Sequence, residues 1–208
     1  MQTPGYLQRY SDSDRMNHWA LVLLFFATAL SGLAMFHPSL FFLSTLFGGG
    51  PWTRILHPFG GVLVFLSFGG MYLRLARDNL WGADDSAWLA RSGDLFAGRT
   101  HDMPPAGRYN AGQKVIFWWM SATLLVLLLT GLVFWRPYFA GFFPIGLVRL
   151  ATLVHSLTAV GLILGIIVHI YAAIWVKGTT RAMTRGVVSE TWARRHHPRW
   201  VEQMTQKR

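Results

Sequence analysis

HSLTAVGLILGIIVH, residues 155–169, carries a histidine at each end and no charged residue between them. An imidazole in hydrocarbon has polar nitrogens and no water to bond them, so it belongs there only where something else satisfies it. The stretch lies inside a longer run, Leu150 to Val176, that holds no Asp, Glu, Lys or Arg. Trp19 to Phe36, Ile55 to Leu73 and Val115 to Trp135 are equally free of charge. Each run is long enough for a bilayer-spanning helix, which needs about 20 residues. With 52% hydrophobic, 15% aromatic and 13% charged residues among 208, the chain is too apolar for an ordinary soluble domain. The fold class that follows is an all-α integral membrane protein. It is a bundle of four transmembrane helices at about 18–36, 54–76, 113–135 and 150–176, with a tail at 177–208, all one membrane domain over 1–208. The first run follows a polar start with Asp12 and Asp14 and has no small-residue cleavage site, so it reads as a retained span rather than a cleaved signal.

Charge placement orients the spans. All of the 19 Lys and Arg except Arg54, Arg136 and Arg149 fall before span one, between spans two and three, or after span four. The positive-inside rule then puts both termini and the middle loop in the cytoplasm of a multi-pass protein. That placement, rather than nucleic-acid binding, accounts for the net charge of +10. The outer connections, 37–53 and 136–149, are aromatic and rich in Gly and Pro, as interfacial segments or subunit contacts are. The inner connection, about 76–112, reads as a soluble loop with room for a short surface helix. Cysteine is absent, which removes disulfides, cysteine-ligated iron-sulfur clusters and thioether-attached haem. No nucleotide-binding glycine fingerprint is present.

Fourteen residues of helix turn through about 1400°, within about 40° of four full turns, and rise about 21 Å. His155 and His169 therefore share one face near opposite membrane surfaces, His155 outer and His169 inner. His57, at the outer entrance of span two, is level with His155, and His18, at the inner entrance of span one, is level with His169. The four make two pairs, one per leaflet. Six-coordinate haem b needs one imidazole on each face of the iron, supplied by surrounding helices. Zinc needs three or four ligands at a single depth. Haem is the better reading of two pairs, although each histidine alone fits a packing role bonded to carbonyls or polar neighbours. His37 competes with His57 for the outer position but lies past the end of span one. His101, His196 and His197 fall in loop and tail, where solvated side chains are the default. Met35, Met71 and Met120 read as packing. Gly161 and Gly165, between the paired histidines, allow close approach by a ring or a helix.

Several motifs carry a resemblance over nearly the whole chain: RILHPFGG opening span two, GRYNAGQK before span three, TGLVFWRPYF closing it, WVKGT after span four and RRHHPRW in the tail. With these the sequence resembles the cytochrome b (gamma) subunit of bacterial respiratory, membrane-bound formate dehydrogenase. The resemblance implies two haem b, the outer held by His57 and His155 and the inner by His18 and His169. It also implies a menaquinone site at the inner haem, lined by Asn110, Gly112, Gln113 and His169. Read from the residues alone, Asn110-Ala111-Gly112 is a turn and helix cap.

By the same resemblance the chain itself has no formate-oxidising site. It serves anaerobic respiration in the bacterial inner membrane, beside an iron-sulfur (beta) subunit and a molybdenum or tungsten pterin catalytic (alpha) subunit, in a trimer of heterotrimers. Electrons pass from the periplasmic iron-sulfur subunit through outer and inner haem to quinone, contributing to proton-motive force. The cytochrome b of a hydrogenase or of a thiosulfate/polysulfide reductase shares the haem and quinone arrangement. A haem-free anchor or a transporter is the reading from another class.

Overall fold

The computed structural model describes residues 5–96 and 103–206. His101 lies outside them, as do Arg99, Lys207 and Arg208. The described chain is almost entirely helical. In order it runs β1 (Tyr6–Gln8), α1 (Asp12–Phe36), a 3-10 helix (Pro38–Phe47), α2 (Gly50–Leu75), a 3-10 turn (Arg77–Asn79), α3 (Ala83–Ala90), α4 (Ser92–Phe96) and α5 (Ala111–Phe134). A further 3-10 turn (Ala140–Phe142) leads to α6 (Ile145–Trp175), α7 (Thr179–Arg185), β2 (Val187–Ser189), α8 (Glu190–His196) and α9 (Pro198–Gln206). Four helices, α1, α2, α5 and α6, are long and apolar enough to cross a membrane.

Their ends are set by capping groups and prolines rather than by the edges of the apolar runs, which is why they exceed the expected spans. Before α1, the Ser11 hydroxyl accepts from the Asp14 amide at 3.2 Å and the Asp14 carboxylate accepts from the Ser11 amide at 3.2 Å, a reciprocal cap that starts the helix at Asp12. Pro51 stands in the first turn of α2, and Pro144 immediately precedes α6, whose first amides bond the Pro144 carbonyl at 2.9 and 3.2 Å. A proline suits these positions because its missing amide would have no partner there. At 31 residues, α6 is about 46 Å long, well beyond the roughly 30 Å hydrocarbon core. The inner loop, expected to hold at most one short surface helix, holds both α3 and α4.

The chain forms two compact units. The first joins three distant segments: residues 1–15, 73–118 and 169–208. In it β1 and β2 pair antiparallel, Tyr6 opposite Ser189 and Gln8 opposite Val187. Its core is Tyr10, Tyr109, Ala182, Val188, Ala193, Trp200 and Val201. Arg9 is buried at the centre, its guanidinium 4.9 Å from the Trp200 ring and 5.6 Å from the rings of Tyr109 and Trp192. Its Nη2 donates to the Arg108 carbonyl at 2.6 Å, and Arg108 in turn donates to the Arg9 carbonyl at 3.1 Å and to Asp78 at 2.7 Å. Two arginines thus bond each other's backbone while aromatic faces take up the buried charge. Burial pushes the Tyr109 hydroxyl well above its ordinary range. The second unit comprises residues 16–72 and 119–168, which hold most of the four long helices and the connections from α1 to α2 and from α5 to α6.

His197 corrects an expectation. Read as a solvated tail residue, it is 1% exposed. Nδ1 lies 2.9 Å from the Gly107 carbonyl and Nε2 3.3 Å from Nη2 of Arg9. A carbonyl only accepts and a guanidinium only donates, so the ring is neutral with its proton on Nδ1. The sequence signal was present in RRHHPRW: α8 ends at His196 and Pro198 begins α9, and the residue between them is held inward.

Burial, and then the charge of Arg9, lower the His197 pKa to about 3. A histidine whose folded pKa lies below its unfolded value of about 6.5 binds more protons when unfolded, so stability falls as the pH drops through that window. Acidification from pH 7 to 5 is expected to cost the first unit about 2 kcal/mol through this group. Limited proteolysis of the tail checks it: cleavage should accelerate at pH 5, and His197→Gln should remove most of the difference between the two pH values.

Candidate haem centre

In the second unit, the rings of His57 on α2 and His155 on α6 meet with centroids 6.3 Å apart and planes inclined at 72°. Each is fixed through Nδ1. His57 Nδ1 lies 3.0 Å from Oγ of Ser31 and 3.1 Å from the Thr28 carbonyl. The Ser31 hydroxyl donates its proton to the same Thr28 carbonyl at 2.8 Å, so its oxygen accepts from the ring. His155 Nδ1 lies 3.0 Å from Oγ1 of Thr130, whose proton goes to the Val126 carbonyl at 2.6 Å. In both cases the hydroxyl proton is committed to a helix carbonyl, which assigns the imidazole proton to Nδ1 and leaves the Nε2 lone pair of both rings available.

That is the tautomer a metal-ligating histidine needs, with the second nitrogen anchored to an outer partner. A metal–imidazole bond of about 2 Å puts each ring centre roughly 3 Å from the metal, so two imidazoles on opposite sides of one ion stand a little over 6 Å apart. The observed separation fits a pair that shares one haem iron. Close packing holds the rings in place: a Cβ on Gly32 would stand 2.9 Å from Cε1 of His57, and the Phe134 ring meets His155 edge-on at 5.0 Å. Among the described residues no three His, Asp or Glu gather as a zinc site requires.

The remaining histidines sort by position. His37 is exposed and caps the 3-10 helix, its Nδ1 accepting from the Ser39 amide at 3.2 Å. His18 is half-buried on α1 in the second unit, its ring edge-on to Trp19 at 5.4 Å. His169 is exposed on α6 and belongs to the first unit. The ring that takes the space at Gly161 and Gly165 is Trp119 of α5: a Cβ at Gly165 would lie 2.8 Å from the indole, whose Nε1 donates to the Gly161 carbonyl at 3.3 Å.

The YNAGQK stretch forms the start of α5 in the first unit. The Asn110 amide donates to Oε1 of Gln113 at 3.0 Å, and the Gln113 amide donates to Oδ1 of Asn110 at 2.9 Å. This reciprocal cap uses the two side-chain oxygens and leaves the amide NH2 groups outside it. Gly112 carries no side chain between this cap and the Trp88 ring, from which a Cβ there would stand 3.4 Å. One turn along α3 from Trp88, Asp85 meets Lys114 at 2.7 Å in a buried ion pair that the sequence reading did not anticipate. Its only signal was the acidic run ADDS facing a lysine at a helix start.

Residues 9–186 match the family described as prokaryotic cytochrome b561. The chain is 42% identical over 191 residues to the nitrate-inducible formate dehydrogenase cytochrome b556(Fdn) subunit of Escherichia coli strain K12, covering 92% of this chain and 88% of that protein. It is 43% identical over 204 residues to the formate dehydrogenase cytochrome b556(fdo) subunit of the same strain, covering 98% and 96%. Identity to the formate dehydrogenase cytochrome b556 subunit of Haemophilus influenzae is 38% over 195 residues, 94% of this chain and 82% of the other. A haem-binding family, four membrane-length helices and two neighbouring histidines agree, and the chain belongs to the prokaryotic cytochrome b561 family and to the formate dehydrogenase cytochrome b subunits.

Proposed function

We propose that this protein carries electrons through two haem b from the iron-sulfur subunit of a formate dehydrogenase to menaquinone on the cytoplasmic face of the inner membrane. The observation that carries the reading is the His57–His155 pair, 6.3 Å apart with both Nδ1 atoms committed. His57 and His155 hold the outer haem; His18 and His169, at the inner ends of spans one and four, hold the inner one. Haem supplies reversible one-electron chemistry when bound, and the chain supplies ligands, spacing and access. Ser31, Thr28 and Thr130 orient the outer ligands and raise their basicity. Trp119 fills the middle of α6 between the two depths.

The quinone is placed at the inner haem, against Asn110, Gly112, Gln113 and His169, where the NH2 groups left outside the helix cap can donate to a quinone oxygen. Quinone reduced there takes its protons from the cytoplasm, and with formate oxidised outside the cell membrane the reaction contributes to proton-motive force. Both termini are cytoplasmic by charge placement. The partners are the iron-sulfur and molybdenum or tungsten pterin subunits, in a trimer of heterotrimers embedded in lipid.

Two haems per chain are expected from a pyridine haemochrome assay. His57→Ala or His155→Ala should remove the outer one, and His18→Ala or His169→Ala the inner. Thr130→Val keeps the shape but deletes the acceptor of His155; it should weaken retention of one haem by about 10- to 100-fold, the usual cost of losing an outer partner, and raise that haem's midpoint potential. One haem in the wild type, or an unchanged spectrum in His57→Ala, contradicts the assignment.

Reporter fusions test direction: one following Arg208 should report cytoplasm and one near Gly49 periplasm. For the quinone, Gln113→Leu and Asn110→Leu should leave both haems reducible by the donor while reoxidation by a quinone analogue slows by about 10-fold, the effect of about 1.4 kcal/mol. Gly112→Val should slow it by crowding. Wild-type reoxidation in all three places the quinone elsewhere.

A further inference from the structure

Beside the α5 cap, the first unit carries a polar pocket of about 240 Å³ that is open to solvent. Three ion pairs line it: Lys114 with Asp85 at 2.7 Å, Arg108 with Asp78 at 2.7 Å, and Arg199 with Asp84. Tyr109, with its hydroxyl buried, stands at the same cavity. The first pair differs from the others in burial. The side chains of Lys114 and Asp85 are each 11% exposed, against 31% and 37% for Arg108 and Asp78 and 46% and 38% for Arg199 and Asp84. The three pairs thus grade from exposed to buried, and the buried one stands on the residue that follows Gln113.

A buried pair is a poor choice for a clasp alone, since removing two charges from water costs about as much as their attraction returns, and apolar residues of similar size hold two helices as well. The pair does suit the movement of protons. Asp85 Oδ2 accepts both from Lys114 Nζ and from the Gly82 amide at 2.5 Å, so one exchangeable proton lies between a carboxylate and an amine at the wall of a space with room for several waters.

We propose that the Asp85–Lys114 pair, fed from the polar cavity, is the entry by which protons reach the quinone during its reduction. The inference rests on the quinone site proposed above, at Gln113 and Asn110. For each quinone reduced, two electrons arrive by way of haem and two protons are taken up, giving the quinol. Each proton passed on from the Lys114 ammonium, with Asp85 as its partner, is replaced by one from cavity water, which draws on the solvent past Arg108–Asp78 and Arg199–Asp84. The pair returns to its starting state after each transfer, and no further reactant is required.

The test uses the whole complex in proteoliposomes, following reoxidation of donor-reduced haem by a soluble menaquinone analogue in H2O and D2O. Asp85→Asn, which can still accept from the Gly82 amide, should slow reoxidation by about 10- to 100-fold, the range for losing a positioned proton donor. It should also increase the solvent isotope effect, leave both haem spectra unchanged and be partly rescued by millimolar acetate or imidazole. The double variant Asp85→Asn with Lys114→Met removes both charges together, so it repairs a clasp but not a proton route, and it should stay slow. Glu190→Gln, which breaks the exposed pair with Arg194 away from the cavity, should behave as wild type. Wild-type rates in Asp85→Asn, or recovery in the double variant, overturn the proposal while leaving the quinone site standing if Gln113→Leu remains slow. If Gln113→Leu and Asn110→Leu are both unaffected, the quinone site itself is wrong and the proton entry falls with it.

Discussion

The structure depends on where two imidazole protons go. A histidine inside a membrane has one N–H and one lone pair to satisfy, and in hydrocarbon neither is satisfied for free. At His57 and His155 the N–H is taken by a hydroxyl whose own proton is spent on a helix carbonyl, Ser31 to Thr28 and Thr130 to Val126. This chain of donors fixes the tautomer, and the tautomer leaves an Nε2 lone pair on each of two rings 6.3 Å apart. A serine and a threonine on neighbouring helices, neither of which touches a metal, thereby decide that the facing histidines can act as ligands. The same logic operates at His197 with the opposite outcome: a carbonyl takes the Nδ1 proton and an arginine takes up the Nε2 lone pair, which leaves that ring a structural strut.

How much of this was legible in the sequence varies with the kind of physics involved. The four spans are a matter of composition, and composition is local, so they were readable; the helix ends, set by Ser11 and Asp14 or by Pro51 and Pro144, are readable only to a reader who gives caps precedence over hydropathy. The facing of His57 and His155 followed from helical periodicity plus topology, since depth in the membrane is a one-dimensional quantity that counting recovers. Their hydroxyl partners did not follow, because Ser31 and Thr130 lie on other helices and nothing in the local sequence says which face of α1 or α5 turns inward. Gly161 and Gly165 announced a close approach without naming Trp119 as the ring that makes it.

The first unit was the least legible part. Loop and tail composition suggested solvated segments, yet Arg9, Tyr109, His197 and Trp200 are buried together. Their residue types are polar or amphipathic, and they form a core only because a guanidinium among aromatic faces satisfies all of them at once. No periodicity marks such a core. What marks it is the density of Arg, His and Trp in RRHHPRW and of Arg and Tyr in LQRY and GRYN, three short stretches that hydropathy assigns to solvent and geometry brings together.

That assembly also sets an order of events in biosynthesis. Arg9 is synthesised before any of the four spans, but the ring that lies closest over its charge belongs to Trp200, and the histidine it bonds is 188 positions later. Until translation has passed Trp200 the cage of Arg9 is incomplete, and until it has passed Ser189 β1 has no strand to pair with. The four spans are therefore synthesised before the first unit can close, and a chain cut short before β2 keeps β1 unpaired. The contact of Arg9 with Trp200 and His197 forms only once the segments on both flanks of the four spans exist, so a proteolytic system able to recognise an unpaired β1 can distinguish a chain that has reached Trp200 from one cut short before it.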